Sequence, residues 1–117
     1  MNVSAVTIPV GQTTSSQFDV PEMETLCAIS IRSAGFTGTA ITFEISFDGG
    51  TTWFPVQSEG GGSVYTVTVG ATARYVPLNP NVFLASHTGY RCDIRVVSNA
   101  SELTNDKVIF LHTRVIK

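Results

Sequence analysis

The feature that most constrains this chain is an alternation of period two that recurs along nearly its whole length. In "AITFEISFD", Ile41, Phe43, Ile45 and Phe47 alternate with Thr42, Glu44 and Ser46, which predicts a strand with one buried and one wet face. "TLCAISIRS" sets Cys27, Ile29 and Ile31 against Ala28, Ser30 and Arg32. "YRCDIRVVS" sets Tyr90, Cys92, Ile94 and Val96 against Arg91, Asp93 and Arg95. Further strands are predicted at Val3–Ile8, Thr52–Gln57, Ser63–Val69, Arg74–Pro77 and Lys107–Ile116, with Gly, Pro, Asn and Asp clusters at "SAGFTG", "SEGGGS" and "SNASELTND" between them. No apolar stripe of helical spacing lasts long enough for a true helix. "NPNVFLAS" suits one helical turn, with Asn79 as its cap and Pro80 at the first helical position.

Short strands without helices can bury their apolar faces only on one another. The expected fold is therefore all-β: a single antiparallel β-sandwich over residues 1–117, with a jelly roll as one arrangement of it. A length of 117 residues supports one core. The net charge of −2 comes from intermixed acids and bases, which creates no field to draw nucleic-acid phosphates or an anionic membrane. No apolar run approaches a membrane span, and "MNVSAVTIPV" lacks the basic head and apolar stretch of an export signal. A chain made in a cytoplasm is expected. There the only cysteines, Cys27 and Cys92, are expected as buried thiols, a disulfide being open to them if their strands face each other.

One short stretch invites a chemical reading. "SFDGGTTW", Ser46 to Trp53, fits S-x-D-x-G-x-T-W through Ser46, Asp48, Gly50, Thr52 and Trp53. It resembles the Asp-box of sialidases and other glycan-active β-propellers. A propeller needs about 4 to 8 four-stranded blades, however, and the box occurs once in a chain with strands for two blades at most. If Phe47 pairs with Thr52 across Asp48-Gly49-Gly50-Thr51, alternation places Ile45, Phe47, Phe54 and Val56 on the inner face. Trp53 then falls on the outer face beside Ser46, its ring over the turn. Gly49 and Gly50 supply positive φ angles, and the Asp48 carboxylate accepts backbone N–H groups. The Asp-box of propellers is itself a turn-stabilising motif away from the catalytic centre, so the resemblance implies a structural turn and no catalytic residues.

The remaining candidates are read as structural. A glycosidase needs two carboxylates at a set separation, one with a raised pKa. Glu44 and Asp93 project from outer strand faces, while Glu22, Glu24, Glu59 and Glu102 lie in or beside loops, where solvated charges are the expectation. His87 sits in the turn "SHTGY", and His112 shares strand parity with Val108, Phe110 and Arg114; no G-x-S-x-G elbow accompanies either. "EGGGS" has no following P-loop lysine and reads as a hairpin tip. No metal, cofactor or catalytic residue is predicted, and an enzyme is not expected. Trp53, Tyr65, Tyr75 and Tyr90 are the only material for a sugar-stacking platform, although aromatics on strands more often pack in cores.

Taken in order, "VTIPVGQTTSSQFDV", "ITFEISFDGGTTWFPV" and "ARYVPLNPNVF" span most of the chain. Through them the whole sequence resembles a family of small structural proteins of tailed-bacteriophage virions. That resemblance implies a virion component without catalysis, made in the host bacterial cytoplasm. Its implied role is a capsid decoration (cement) protein on the outer head, partnered by the major capsid protein or other virion proteins and homo-oligomeric on the particle. The alternatives are a tail or head–tail accessory protein, or a carbohydrate-binding module that holds a host glycan. "VPEMETLC" departs from the more hydrophobic, glycine-bearing approach of the family, which suggests a local contact around Glu22–Thr25.

Overall fold

The structure, a computed structural model, describes residues 2–21, 23–31, 38–58, 61–69, 73–79, 82–83, 92–102 and 105–115. Among these residues lie nine strands: β1 (Asn2–Ile8), β2 (Phe18–Val20), β3 (Glu24–Ile31), β4 (Ala40–Ser46), β5 (Phe54–Pro55), β6 (Thr66–Thr68), β7 (Arg74–Pro77), β8 (Cys92–Ser98) and β9 (Lys107–Val115). All ladder pairings among them are antiparallel. One sheet runs β1-β9-β3-β7; the other runs β2-β8-β4, with β5 and β6 sharing the far edge of β4. The fold is an all-β sandwich.

The core follows from the alternation. Val6 and Ile8, Leu26 and Ile29, and Ile109 and Leu111 line the inner face of the first sheet; Ile41, Phe43, Ile94 and Val96 line that of the second. Each buried side chain of this size contributes about 1.5–3 kcal/mol when removed from water. Phe43 meets Phe83 edge to face, with ring centroids 5.3 Å apart, and Phe83 meets Tyr65 the same way at 5.7 Å. The Tyr65 hydroxyl accepts the Asn79 N–H at 2.9 Å, so this aromatic has a hydrogen-bond partner at the edge of the core. Val82 N–H donates to Asn79 O at 3.3 Å; Pro80, the expected first helical position, lies outside the described residues.

Two departures from strict alternation shape the molecule. β3 carries a bulge: Leu26 pairs with Thr113 and Ala28 with His112, which leaves Cys27 as the extra residue. A bulge resets strand parity. Leu26, Ile29 and Ile31 therefore occupy the core, while Cys27 is half-buried and turns its thiol to the His112 carbonyl, 3.3 Å away. β2 is too short to show a pattern in sequence. It is held through the segment before it, where Ser15 N–H donates to Val96 O at 2.8 Å and Ser15 Oγ accepts Val96 N–H at 2.9 Å. Ser16 N–H donates back to Thr7 O at 3.0 Å. The serines of "TTSSQ" thus carry the chain from one sheet to the other.

Candidate functional site

The stretch from Ser46 to Trp53 forms a tight connection from β4 to β5. β4 ends on Ser46, whose side chain is fully buried. Its Oγ donates to Asp48 Oδ1 at 2.7 Å and accepts the Gly50 N–H at 2.9 Å. Asp48 Oδ1 also accepts the N–H groups of Thr52 and Thr51, at 2.9 and 3.1 Å. The Thr52 N–H, followed by the Ser46 hydroxyl, holds the Asp48 carboxyl at about 2 rather than the usual 3.8. Hydrogen bonds to the charged form favour ionisation. Gly49 and Gly50 have φ of 77° and 102°. A Cβ on Gly49 would meet open space, whereas one on Gly50 would stand 2.5 Å from Gln17 Oε1 and 3.4 Å from the Trp53 ring.

Trp53 closes the turn. Its Nε1–H donates to Gly50 O at 2.9 Å, so the indole lies over the turn it follows. The guanidinium of Arg95 stacks over the Trp53 ring, 4.2 Å from its centroid. Arg95 Nε donates to Glu44 Oε1 at 2.7 Å, and Nη2 lies 2.6 Å from the same oxygen. Glu44 and Arg95 are register partners across β4 and β8. Arg95 was no candidate in sequence: its common parity with Glu44 acquires meaning only once β8 is known to lie beside β4.

The pairing of Ile45 with Phe54 has the register that alternation predicted. Burial is another matter. Ile45 and Val56 enter the core, but Phe47 and Phe54 are 51% and 53% exposed, which corrects the expected inner-face set. Phe47 lies beyond the last ladder residue of β4, so the pleat no longer aims its side chain. Phe54 sits on a two-residue edge strand. Beside them a surface cavity of about 320 Å³ is lined, among the described residues, by Phe47, Asp48, Gly49 and Asp93.

The other candidates do not converge. Tyr65 is half-buried and packs against the core, and Tyr75 stands 59% exposed on β7, in the sheet opposite to that of β4 and β5, which Trp53 connects; Tyr90 lies outside the described residues. These positions do not assemble the sugar platform of Trp53, Tyr65 and Tyr75. His112 Nε2 is 2.9 Å from Ser30 Oγ, and its ring meets Tyr75 edge to face at 5.5 Å. Glu24 and Glu102 are buried rather than solvated. The Glu24 carboxylate accepts Thr113 Oγ1–H at 2.7 Å and the Asn2 amide at 3.0 Å. Glu22, Glu59 and His87 lie outside the described residues. Among those described, no group of three or more His, Cys, Asp or Glu is placed to hold a metal ion. Cys27 and Cys92 are free and sit on strands of different sheets.

Fold and site together define a small β-sandwich with an Asp-box-like turn at one edge. No family model matches the chain, and no curated protein matches it. Among solved structures it is similar to the pre-peptidase C-terminal domain of a collagenase from Bacillus anthracis, with 11% identity over 97% of this chain and 88% of that one and a TM-score of 0.37. It is also similar to a structure of infectious bursal disease virus Gt strain, with 8% identity over 95% of this chain and 30% of that one and a TM-score of 0.24. Likenesses this distant carry no functional argument.

Proposed function

We propose that the chain is a structural protein of a tailed-bacteriophage virion, and within that class a capsid decoration (cement) protein on the outer head surface. The observation that carries this reading is the ordered resemblance of three stretches over most of the sequence. Those stretches coincide with the structural joints of the domain. The first runs from β1 through the serine crossover into β2, the second from β4 through the Asp48 turn into β5, and the third covers β7 and the turn at Asn79.

A sandwich of this kind offers an edge to a partner. β1 is the outermost strand of its sheet. Thr7 turns its backbone away from β9, where Ser16 takes up its carbonyl and N–H at 3.0 and 3.2 Å. By the alternation of an antiparallel ladder, the backbone groups of Val3 and Ala5 face the same way. An extended arm of a capsid subunit can add to such an edge, and binding only the assembled shell would stabilise it by mass action.

The test is reconstruction of the virion that encodes this chain, with counting of its copies. Density on the outer head in hundreds of copies agrees with decoration. About a dozen copies at a tail or neck ring would move the chain to the accessory class, because a capsid lattice repeats far more often than a ring. Absence from the particle would end the virion reading.

A further inference from the structure

The β1 edge of the first sheet differs from the other edges of the sandwich. Those end on β2, β5, β6 and β7, which are two to four residues long. Apart from β6 they carry a charge or a proline, namely Asp19, Pro55, Arg74 and Pro77, and such residues discourage a foreign strand from pairing. β1 has seven residues, contains no charge, proline or glycine, and runs along β9 without a bulge. Both of its ends are fixed. The Asn2 amide is held by both oxygens of the Glu24 carboxylate at 3.0 Å, and the Thr7 backbone is held by Ser16. Between these anchors, no hydrogen bond among the described residues takes up the outward N–H and C=O groups of Val3 and Ala5. The Val3 side chain is 51% exposed, and Ala5 is exposed two residues on.

From this edge we infer that a second copy of the chain pairs with β1, antiparallel and about a two-fold axis. The register follows from Ser16. Because it occupies Thr7, Val3 and Ala5 are the β1 residues left to offer both backbone groups outward. Residues directly opposite in an antiparallel pair can exchange both N–H···O bonds. The pairing that uses every such group sets Val3 against the partner's Ala5 and Ala5 against the partner's Val3, with Ser4 on the axis. The strand has the self-complementarity that a two-fold requires. Alternation puts Val3 and Ala5 of both copies on one outer face, where their apolar side chains cover one another. A strand without charge opposes no like charges when it meets itself. A capsid arm would compete for the same backbone groups, but the second copy is matched to them in register and in side chains. The pairing needs only this chain, so it stands apart from the virion reading.

Sedimentation of the full chain at concentrations up to about 1 mM, with amide hydrogen exchange at each, tests it. The mass should rise from monomer to dimer, and the Val3 and Ala5 amides should exchange more slowly as it does. The Ser4 and Val6 amides face β9 in the monomer already and should change far less. Ala5→Pro removes an outward donor without touching the β9 ladder. Val3→Lys brings a charge from each copy to the seam, and its exposed position keeps the test open where proline disturbs the strand. Each should weaken association about tenfold or more, as expected for lost hydrogen bonds or opposed charges. A chain that stays monomeric throughout would overturn the inference. So would a dimer whose Val3 and Ala5 amides exchange as in the monomer, or association unchanged in Val3→Lys. Protection of these amides only in a monomer bound to the virion would also overturn it, giving the edge to a capsid arm and leaving the virion reading intact.

Discussion

Replacing Ser46 by alanine tests whether the turn is held from below by one buried hydroxyl. The side chain is fully buried; its hydroxyl donates to Asp48 Oδ1 and accepts the N–H groups of Gly50 and, at 3.4 Å, of Asp48. Alanine leaves the Gly50 N–H without its acceptor, which costs about 1–3 kcal/mol when the group stays away from water. Unfolding entropy of about 2.1 cal/mol/K per residue, over 117 residues, amounts to about 0.25 kcal/mol/K. The expected fall in melting temperature is therefore about 4–12 °C. Trp53 is the only tryptophan and lies on the turn, so its fluorescence reports the event beside calorimetry. Two local readouts separate the turn from a general loss of packing. The Gly50 amide should exchange faster than in the wild type. The Asp48 carboxyl, freed of its second-strongest support, should titrate above its value of about 2 but below the ordinary 3.8, because the Thr52 N–H remains. A melting temperature within about 1 °C of wild type, or an unchanged Gly50 exchange rate, would refute the reasoning.

The neighbouring glycines should differ: Gly49→Ala should cost about 1–2 kcal/mol for its left-handed backbone alone, and Gly50→Ala more, since its Cβ must also displace Gln17; equal melting curves would contradict this. Asp48 has a depressed folded pKa, so it binds protons more readily when unfolded. Its contribution to stability is complete above pH 3.8 and is lost as pH falls through about 2. The melting-temperature gap between wild type and Asp48→Asn should narrow across that window, and a constant gap would contradict the assignment. Cys27 should react with a thiol reagent before Cys92, which is buried and raised to about 11; simultaneous labelling of both under native conditions would count against the fold. Phe43→Ala should destabilise by about 3–5 kcal/mol in chemical denaturation, because the ring is fully buried against Phe83 and Tyr65; a loss below about 1 kcal/mol would mean that the aromatic cluster is not packed.

Strands were legible where a regular period met a continuous ladder. In β4 and β8 the described residues read as inward are inward, because nothing interrupts the pleat. β3 shows the limit of that logic. Its bulge puts Cys27 out of phase, and "TLCAISI" contains no glycine or proline to announce it. Strand order was not legible at all. β3 lies between β7 and β9 and β8 between β2 and β4, and pairings of that separation leave no trace in local periodicity.

The turn was legible for a different reason: its bonds are local. Ser46, Asp48, Gly50, Thr52 and Trp53 lie within one stretch, so side-chain chemistry and spacing suffice to predict which groups meet. Everything around the turn that comes from elsewhere in the chain was invisible. Arg95 reaches Trp53 from β8, and Asp93 reaches the cavity from the same strand. Phe47 misled the reading most. It continues the apolar alternation perfectly, but the ladder stops one residue earlier, at Ser46. The cause is the turn itself: the Ser46 hydroxyl is bonded to both Asp48 and Gly50, which bends the chain before Phe47 can be folded inward. The motif that makes the hairpin is thus also what places an aromatic ring in water, next to the carboxylates that line the cavity.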